Sequence, residues 1–297
     1  MAGAWESAAK RQIAKALYRP AALAQRMLDR DDGPAYRALI VHDVAPENLG
    51  KVEWLVRFLR AGCRVLAPAD VRSLPAAPAG ARSRPRCLLT FDDGFLSQAR
   101  VARTLLDPYG IKAVFFICPV LIDRAERGDY ASVARSLGYA PRVSVPPLMG
   151  WREVRALAAR GHIIGAHTQT HRRLIGLPPV ALEGEIVTCA NRLASVVGGP
   201  IAWFAYPFGG IDSIDRRALG CVATRYQYCC SGIRGLNTAS TPPLAILRDH
   251  WDLEAPLPYL EGVLEGALDW RYALARRRLR RMASHAYFDA PARGSFD

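Results

Sequence analysis

Asp92 and Asp93 stand side by side where the apolar run Cys87-Leu88-Leu89-Thr90-Phe91 ends, and Gly94 turns the chain away. That run reads as a buried strand. Side chains alternate along a strand, so the two carboxylates leave the backbone in different directions and suit two tasks. One can bind a metal while the other takes a proton from water held on it. Asp before a helix also serves as an N-cap, so the pair alone does not decide. Further on, His167-Thr168-Gln169-Thr170-His171 follows a second strand. With the second His on the first turn of a helix, both imidazoles face one point. Adding one carboxylate gives a His/His/Asp set with positions open for water, the pattern of a catalytic site for zinc or a similar divalent ion. Two polar loop histidines are the plainer alternative; matching ligands at two strand ends favour the site.

The elements that position these residues alternate. Strands are predicted at 38–44, 64–66, 87–91, 113–118, 161–167, 201–209, 221–224 and 244–248, and helices at 49–61, 151–160, 180–197, 212–219 and 256–282. Residues 119–147 show no clear periodicity and read as an insertion covering one face. The alternation argues α/β with a parallel sheet. His42, Asp92, Asp93, His167, Phe208 and Arg248 all fall at the C-terminal ends of strands. A (β/α) barrel gathers its strand ends at one mouth, whereas an open doubly wound sheet gathers them only near a switch point. The pattern therefore predicts a barrel spanning 34–255, preceded by a helical extension over 1–33 and followed by a basic helix and tail over 256–297.

Composition narrows the function classes. The 297 residues carry a net charge of +13, and the only lysines are Lys10, Lys15, Lys51 and Lys112, so the basic residues are almost all Arg. This fits anionic substrates or a membrane surface; no motif points to nucleic acid. The seven cysteines lack regular spacing and any CxxC pair, which argues against a disulfide framework and a thiolate zinc site. No run reaches transmembrane length. The first residues hold scattered Lys and Arg and no apolar core, unlike a secretory signal, so a cytoplasmic chain is expected. Residues 5–28 place Trp5, Ile13, Leu17 and Leu23 at helical spacing among basic residues, and 271–281 hold six Arg. Either helix can be a solvated face, or can rest peripherally on anionic lipid at the inner membrane face.

Thr90-Phe91-Asp92-Asp93-Gly94 followed by His167-Thr168-Gln169-Thr170-His171 resembles the first two motifs of the polysaccharide deacetylase family, which includes chitin, peptidoglycan and chitooligosaccharide deacetylases. Phe204-Ala205-Tyr206-Pro207-Phe208-Gly209 is similar to its third. The resemblance covers about 39–248. It implies a distorted (β/α) barrel of about seven strands. It makes Asp92 the general base, gives Asp93, His167 and His171 to the metal, and lets the backbone N–H of Phe208 stabilise an oxyanion. Zinc is the expected ion from the ligand set.

The leaving amine needs a proton, and His is the natural donor. Many members place that His in a late Leu-x-His motif. This chain has Leu247-Arg248-Asp249-His250, with the His one residue late, which on a strand turns it to the opposite face. His42 resembles the branch in which the acid comes from the N-terminal side, and is preferred to His250. Ala205 replaces an Arg that many members carry in the third motif, and Arg248 is expected to orient Asp92 instead. His162 reads as structural. Asp43 and Asp249 can orient their neighbouring His, and Trp203, Trp251 and Tyr206 can line a sugar site or fill the core.

The expected function is metal-dependent removal of an acetyl group, N-acetyl before O-acetyl, from a sugar or glycan precursor. The alternatives are an amidohydrolase of the same fold acting on a cyclic amide or ureide, and an inactive glycan-binding module.

Overall fold

The computed structural model describes residues 34–62, 65–74, 86–141 and 143–289. The N-terminal amphipathic stretch, Cys63 and Arg64 lie outside these residues. In chain order the regular elements begin with β1 (Ala35–Val41), α1 (Leu49–Gly62), β2 (Arg86–Phe91), α2 (Leu96–Val101) and β3 (Val114–Ile117). Then come α3 (Pro119–Glu126), α4 (Tyr130–Leu137), α5 (Trp151–Ala159), β4 (Ile163–Ala166) and α6 (Pro179–Val197). The last third holds β5 (Trp203–Ala205), α7 (Arg216–Arg225), β6 (Tyr228–Cys230), β7 (Asn237–Thr238), β8 (Arg248–His250), α8 (Leu257–Glu265) and α9 (Ala273–Asp289).

Strands β1 to β6 lie side by side in sequence order, all parallel, and β8 pairs parallel with the free side of β1. Ile246, just upstream of β8, donates its N–H to Cys229 O and accepts from Ser231 N–H. The strip 246–250 therefore joins β6 to β1 and closes the ring. The result is a distorted (β/α) barrel of seven parallel strands, with the two-residue β7 added antiparallel at the start of β1.

Alternation along the strands divides the apolar residues into two clusters. Leu39, Val41, Leu89, Phe91, Phe115 and Phe204 face outward under the helices. Tyr36, Ala38, Leu88, Val114, Phe116, Trp203 and Tyr228 fill the barrel. Gly165 on β4 leaves room for Phe116, whose ring a Cβ at 165 would meet at 2.5 Å. The same inward parity that gives Leu88 and Thr90 on β2 continues to Asp92, and that of β8 gives Arg248 and then His250.

Several elements differ from the sequence expectation. Residues 119–147 are not an irregular insertion: Pro119 starts α3, and Asp129 caps α4 by accepting from Ser132 N–H. The helix and strand expected at 212–219 and 221–224 are one helix, α7, capped by Asp215, and the strand is β6. Ala218, Leu219, Val222 and Ala223 are all buried, so the apolar run is one helix face rather than a strand. The last strand starts at Arg248 because Pro243 opens a 3-10 turn within the expected segment. The terminal helix breaks at Gly266, φ 80°, into α8 and α9. The strand expected at 64–66 is a single bridge, Val65 to Cys87. Leu279, Ala283 and Ala286 of α9 belong to the main core. No helix among the described residues is long and apolar enough to cross a membrane.

Candidate active site

Asp93 Oδ1 lies 3.4 Å from His167 Nε2 and 3.3 Å from His171 Nε2. The other ring nitrogens face carbonyls: His167 Nδ1 is 2.7 Å from Ala205 O, and His171 Nδ1 is 2.9 Å from Ser136 O. A carbonyl only accepts, so each Nδ1 carries a proton, and in the neutral ring each Nε2 presents a lone pair. With both rings neutral, two lone pairs and a carboxylate oxygen converge; a protonated ring instead donates its Nε2–H toward Asp93. Asp93 Oδ1 is buried without a hydrogen-bond partner. Acceptors held together in this way repel one another until a cation lies between them. The three donor atoms lie within 4.8 Å of one another, so these residues fit a divalent ion. Burial pushes the Asp93 carboxyl up; the two imidazoles offset this and hold it well below the usual carboxylate range.

Strand parity would send Asp93 away from Asp92. Its φ of 74° turns it back to the mouth. Thr168 at 60°, His171 at 64° and Phe208 at 64° share this left-handed backbone. Among the described residues these are the non-glycine positions with positive φ, and all lie at the site. Each costs about 1–2 kcal/mol, which the surrounding contacts must offset. For the His loop those contacts are plain. Thr168 Oγ1 accepts from His171 N–H at 3.0 Å. Glu185 on α6 takes the N–H and hydroxyl of Thr170, and its carbonyl takes the Gln169 N–H.

Asp92 is gripped by Arg248. Nη1 donates to Oδ1 at 2.7 Å and Nη2 to Oδ2 at 2.8 Å. Arg248 also donates to Thr90 Oγ1 and Ser231 O, and its guanidinium lies 5.0 Å from the centre of the Phe116 ring. Burial raises Asp92, Arg248 and His167 pull it back, and the balance leaves it below its ordinary value. Asp92 Oδ2 is 4.0 Å from His167 Nε2, so both carboxylates border one space.

His42 Nε2 is 3.9 Å from Asp93 Oδ2, with its side chain 40 % exposed at the mouth. His250 does not turn away as the one-residue offset suggested: its ring centre is 5.1 Å from that of His42. The strand register explains this, because position 249 is the one that points outward. Asp249 pairs with Arg37 at 3.0 Å rather than serving a His, and Asp43 accepts from Ser97 Oγ at 2.7 Å. Burial and then the charge of His42 push His250 down to about 4. Phe208 sits at the rim, 49 % exposed, its ring 4.9 Å from that of His171 and capped by Arg173. Trp203, Tyr206 and Trp251 are buried in the core. His162 is structural: Nδ1 accepts from Ala113 N–H and Nε2 faces Asp107.

Sequence reasoning missed Gln98, Glu185 and Ser136. Gln98 Nε2 bridges His42 O and Asp92 O and so holds two strand ends together. The signal for Glu185 was a carboxylate on the apolar face of α6, between Leu182 and Ile186. Ser136 acts through its carbonyl, which no side-chain pattern reveals.

The polysaccharide deacetylase family model matches residues 79–222, which hold the carboxylate pair, His167, His171 and Phe208. The match to the polysaccharide deacetylase family thus spans just under half of the chain. Solved structures agree with its fold. The deacetylase PplD of Streptococcus pyogenes superposes with a TM-score of 0.59 at 16 % identity, covering 78 % of this chain and 99 % of that one. The BpsB deacetylase domain of Bordetella bronchiseptica gives 0.56 at 20 % identity, covering 75 % and 97 %. A curated relative, a gellan lyase from Bacillus sp., is 30 % identical over 122 residues, which are 41 % of this chain and only 4 % of that protein. His42 and Arg248 fall outside the residues matched by the family model, so their place at the mouth rests on the fold.

Proposed function

We propose that the protein is a metal-dependent deacetylase that removes the acetyl group of an N-acetylated sugar or glycan precursor. What carries the reading is the convergence of Asp93, His167 and His171 beside a second carboxylate clamped by Arg248. One solved neighbour, from Aggregatibacter actinomycetemcomitans, is described as a de-N-acetylase; it superposes at 0.58 with 15 % identity. Asp93, His167 and His171 would hold the ion, zinc by the ligand set. When bound, the ion supplies Lewis acidity, making water more acidic and the acetyl carbonyl more electrophilic. Asp92, kept ionised by Arg248, accepts the proton of the attacking water. The backbone N–H of Phe208 donates to the oxygen on which negative charge develops. His42 gives its proton to the departing amine. His250, pushed down to about 4, is the weaker candidate for that proton. Arg248 is a positioning residue.

The test is acetate release from a panel of N-acetylated sugars, with and without chelator, beside Asp92→Asn and His42→Ala. Chelator-sensitive release, lost in Asp92→Asn and slowed by about 10²–10⁴ in His42→Ala, is expected. Stoichiometric metal with no acetate from any sugar would overturn the reading and favour a cyclic-amide substrate. Loss in His250→Ala with His42→Ala active would reverse the acid assignment.

The outer face of α9 supports a second element of the proposal, contact with an anionic bilayer. Trp270, in the turn just before α9, and Leu274, in its first turn, are 63 % and 82 % exposed, and Arg277, Arg278 and Arg281 follow on the exposed side of the helix. An apolar pair among arginines suits a lipid interface. Co-sedimentation with anionic vesicles, lost in Trp270→Ser/Leu274→Ser and absent with neutral vesicles, is the expected outcome.

A further inference from the structure

Beside the candidate metal centre the barrel opens into a cavity of about 480 Å³, lined by Arg124, Arg135, Arg172 and Arg173 together with His171 and Phe208. Four guanidinium groups thus border the space next to a metal-facing histidine. The carboxylates in reach leave most of this charge uncompensated. Asp212 holds Arg173 at 3.1 Å, Asp129 stands in the field of Arg124 and Arg135, and Glu185 is committed to Thr170. Arg172 makes no ion pair among the described residues. Secondary contacts fix the others: Arg124 donates to Ser136 Oγ, Arg135 to Ser132 Oγ, and Arg173 to Ser213 Oγ while lying on the Phe208 ring. The cluster borders the candidate metal centre: Ser136, next to Arg135 on α4, faces His171 Nδ1 with its carbonyl, a backbone contact in which the Arg135 side chain takes no part.

Planar forks of donors around one space match the several acceptor oxygens of a phosphate better than a neutral sugar hydroxyl. The volume exceeds that of a phosphate alone and falls within the range of small-ligand sites. We infer that these arginines form a phosphate subsite of the same active site, so that the substrate is an N-acetylated sugar carrying a phosphate, with the acetyl group at Asp93, His167 and His171. The inference rests on the deacetylase reading. A second groove continues from it: Arg135 is shared with a cavity of about 730 Å³ lined by Tyr130, Ala134, Tyr139, Val143 and Val145. Its apolar walls give the chain of a lipid phosphate a place that a nucleotide would not fill.

The test has two readouts. Inorganic phosphate is titrated calorimetrically into the metal-loaded protein and into Arg135→Gln/Arg172→Gln, both exposed positions that a folded chain tolerates. Binding to the wild type that weakens tenfold or more in the double variant, and falls with added salt, is expected. Acetate release is then followed on N-acetylglucosamine, its 1-phosphate, and nucleotide-linked and polyprenyl-phosphate-linked forms. The double variant should raise KM for phosphorylated substrates at least tenfold, leaving kcat and the KM for the neutral sugar unchanged. A lower KM for the lipid-linked than for the nucleotide-linked form would assign the phosphate to a lipid carrier, and the reverse order to a nucleotide. Equal KM values for neutral and phosphorylated sugars in the wild type, or phosphate binding indifferent to the double variant, would overturn the subsite. Failure of the deacetylase reading looks different: phosphate binds and the arginine variant weakens it, yet no sugar releases acetate.

Discussion

Asp92 and Asp93 are adjacent, alike and both buried, yet their surroundings separate them. Arg248 occupies both oxygens of Asp92 with a matched pair of donors, while Asp93 Oδ1 is buried without a hydrogen-bond partner beside two imidazoles. The first is thereby aimed and kept charged; the second is left needing a cation. Arg248→Ala would strand a buried carboxylate at a cost of about 3–5 kcal/mol, so its effect on activity would mix with unfolding. Arg248→Lys keeps the charge but loses the fork. We expect kcat to fall by about 10–100-fold with KM nearly unchanged, because misaiming the base affects the reacting step. The pH profile supplies the sign. Arg248 lowers Asp92, so weakening that contact lets Asp92 rise, and the acid limb of activity should move to higher pH. A purely structural role would leave the limb where it was.

At the scale of elements, β8 carries the most consequence for its length. Its three residues alternate inward, outward and inward: Arg248 to Asp92, Asp249 to the outer packing, His250 to the mouth. The outward contact is a buried triad in which Arg37 holds Asp249 at 3.0 Å and Asp269 at 2.7 Å, tying β1, β8 and the turn before α9. Two carboxylates share one guanidinium. Burial raises Asp249 to about 6, with Arg37 opposing and Asp269 assisting. A native carboxyl raised in this way contributes stability that is fully present below about pH 4 and lost as pH rises through about 6. Arg37→Met leaves both carboxylates buried without the guanidinium they share. It should cost about 3–5 kcal/mol at pH 7, and less near pH 4, where protonation relieves the repulsion. Urea unfolding at the two pH values measures the difference; equal losses at both would show that Arg37 acts by packing alone.

For the molecule as a whole, the legible part of the sequence was the part with a short physical rule behind it. Period-two alternation put Asp92, His167 and Arg248 inside one barrel end, and the strand-end carboxylates and histidines declared their chemistry by type. The illegible part depended on tertiary context. Val222 and Ala223 read equally as strand or helix until packing chose, α3 and α4 were hidden by weak periodicity, and Ser136 contributes only a backbone oxygen. The positive φ angles of Asp93, Thr168, His171 and Phe208 could not be read at all, because each is imposed by contacts from other elements. Those strained positions lie at the site on three segments of chain, so the fold brings the donor atoms of the site together. A cation that joins them should therefore stabilise the whole barrel, since the unfolded chain has no such site. At an ion concentration of about 100 Kd the gain is about 2.7 kcal/mol, which for a chain of this size corresponds to roughly 4–5 °C in Tm. Calorimetric scans with zinc and with chelator should show that difference in the wild type. Asp93→Asn removes both the unpartnered oxygen and the repulsion it causes. Its metal-free form should melt no lower than the metal-free wild type, and zinc should raise its Tm little. Should zinc raise the Tm of Asp93→Asn as far as that of the wild type, the ion would be binding elsewhere, and Asp93, His167 and His171 would not be its site.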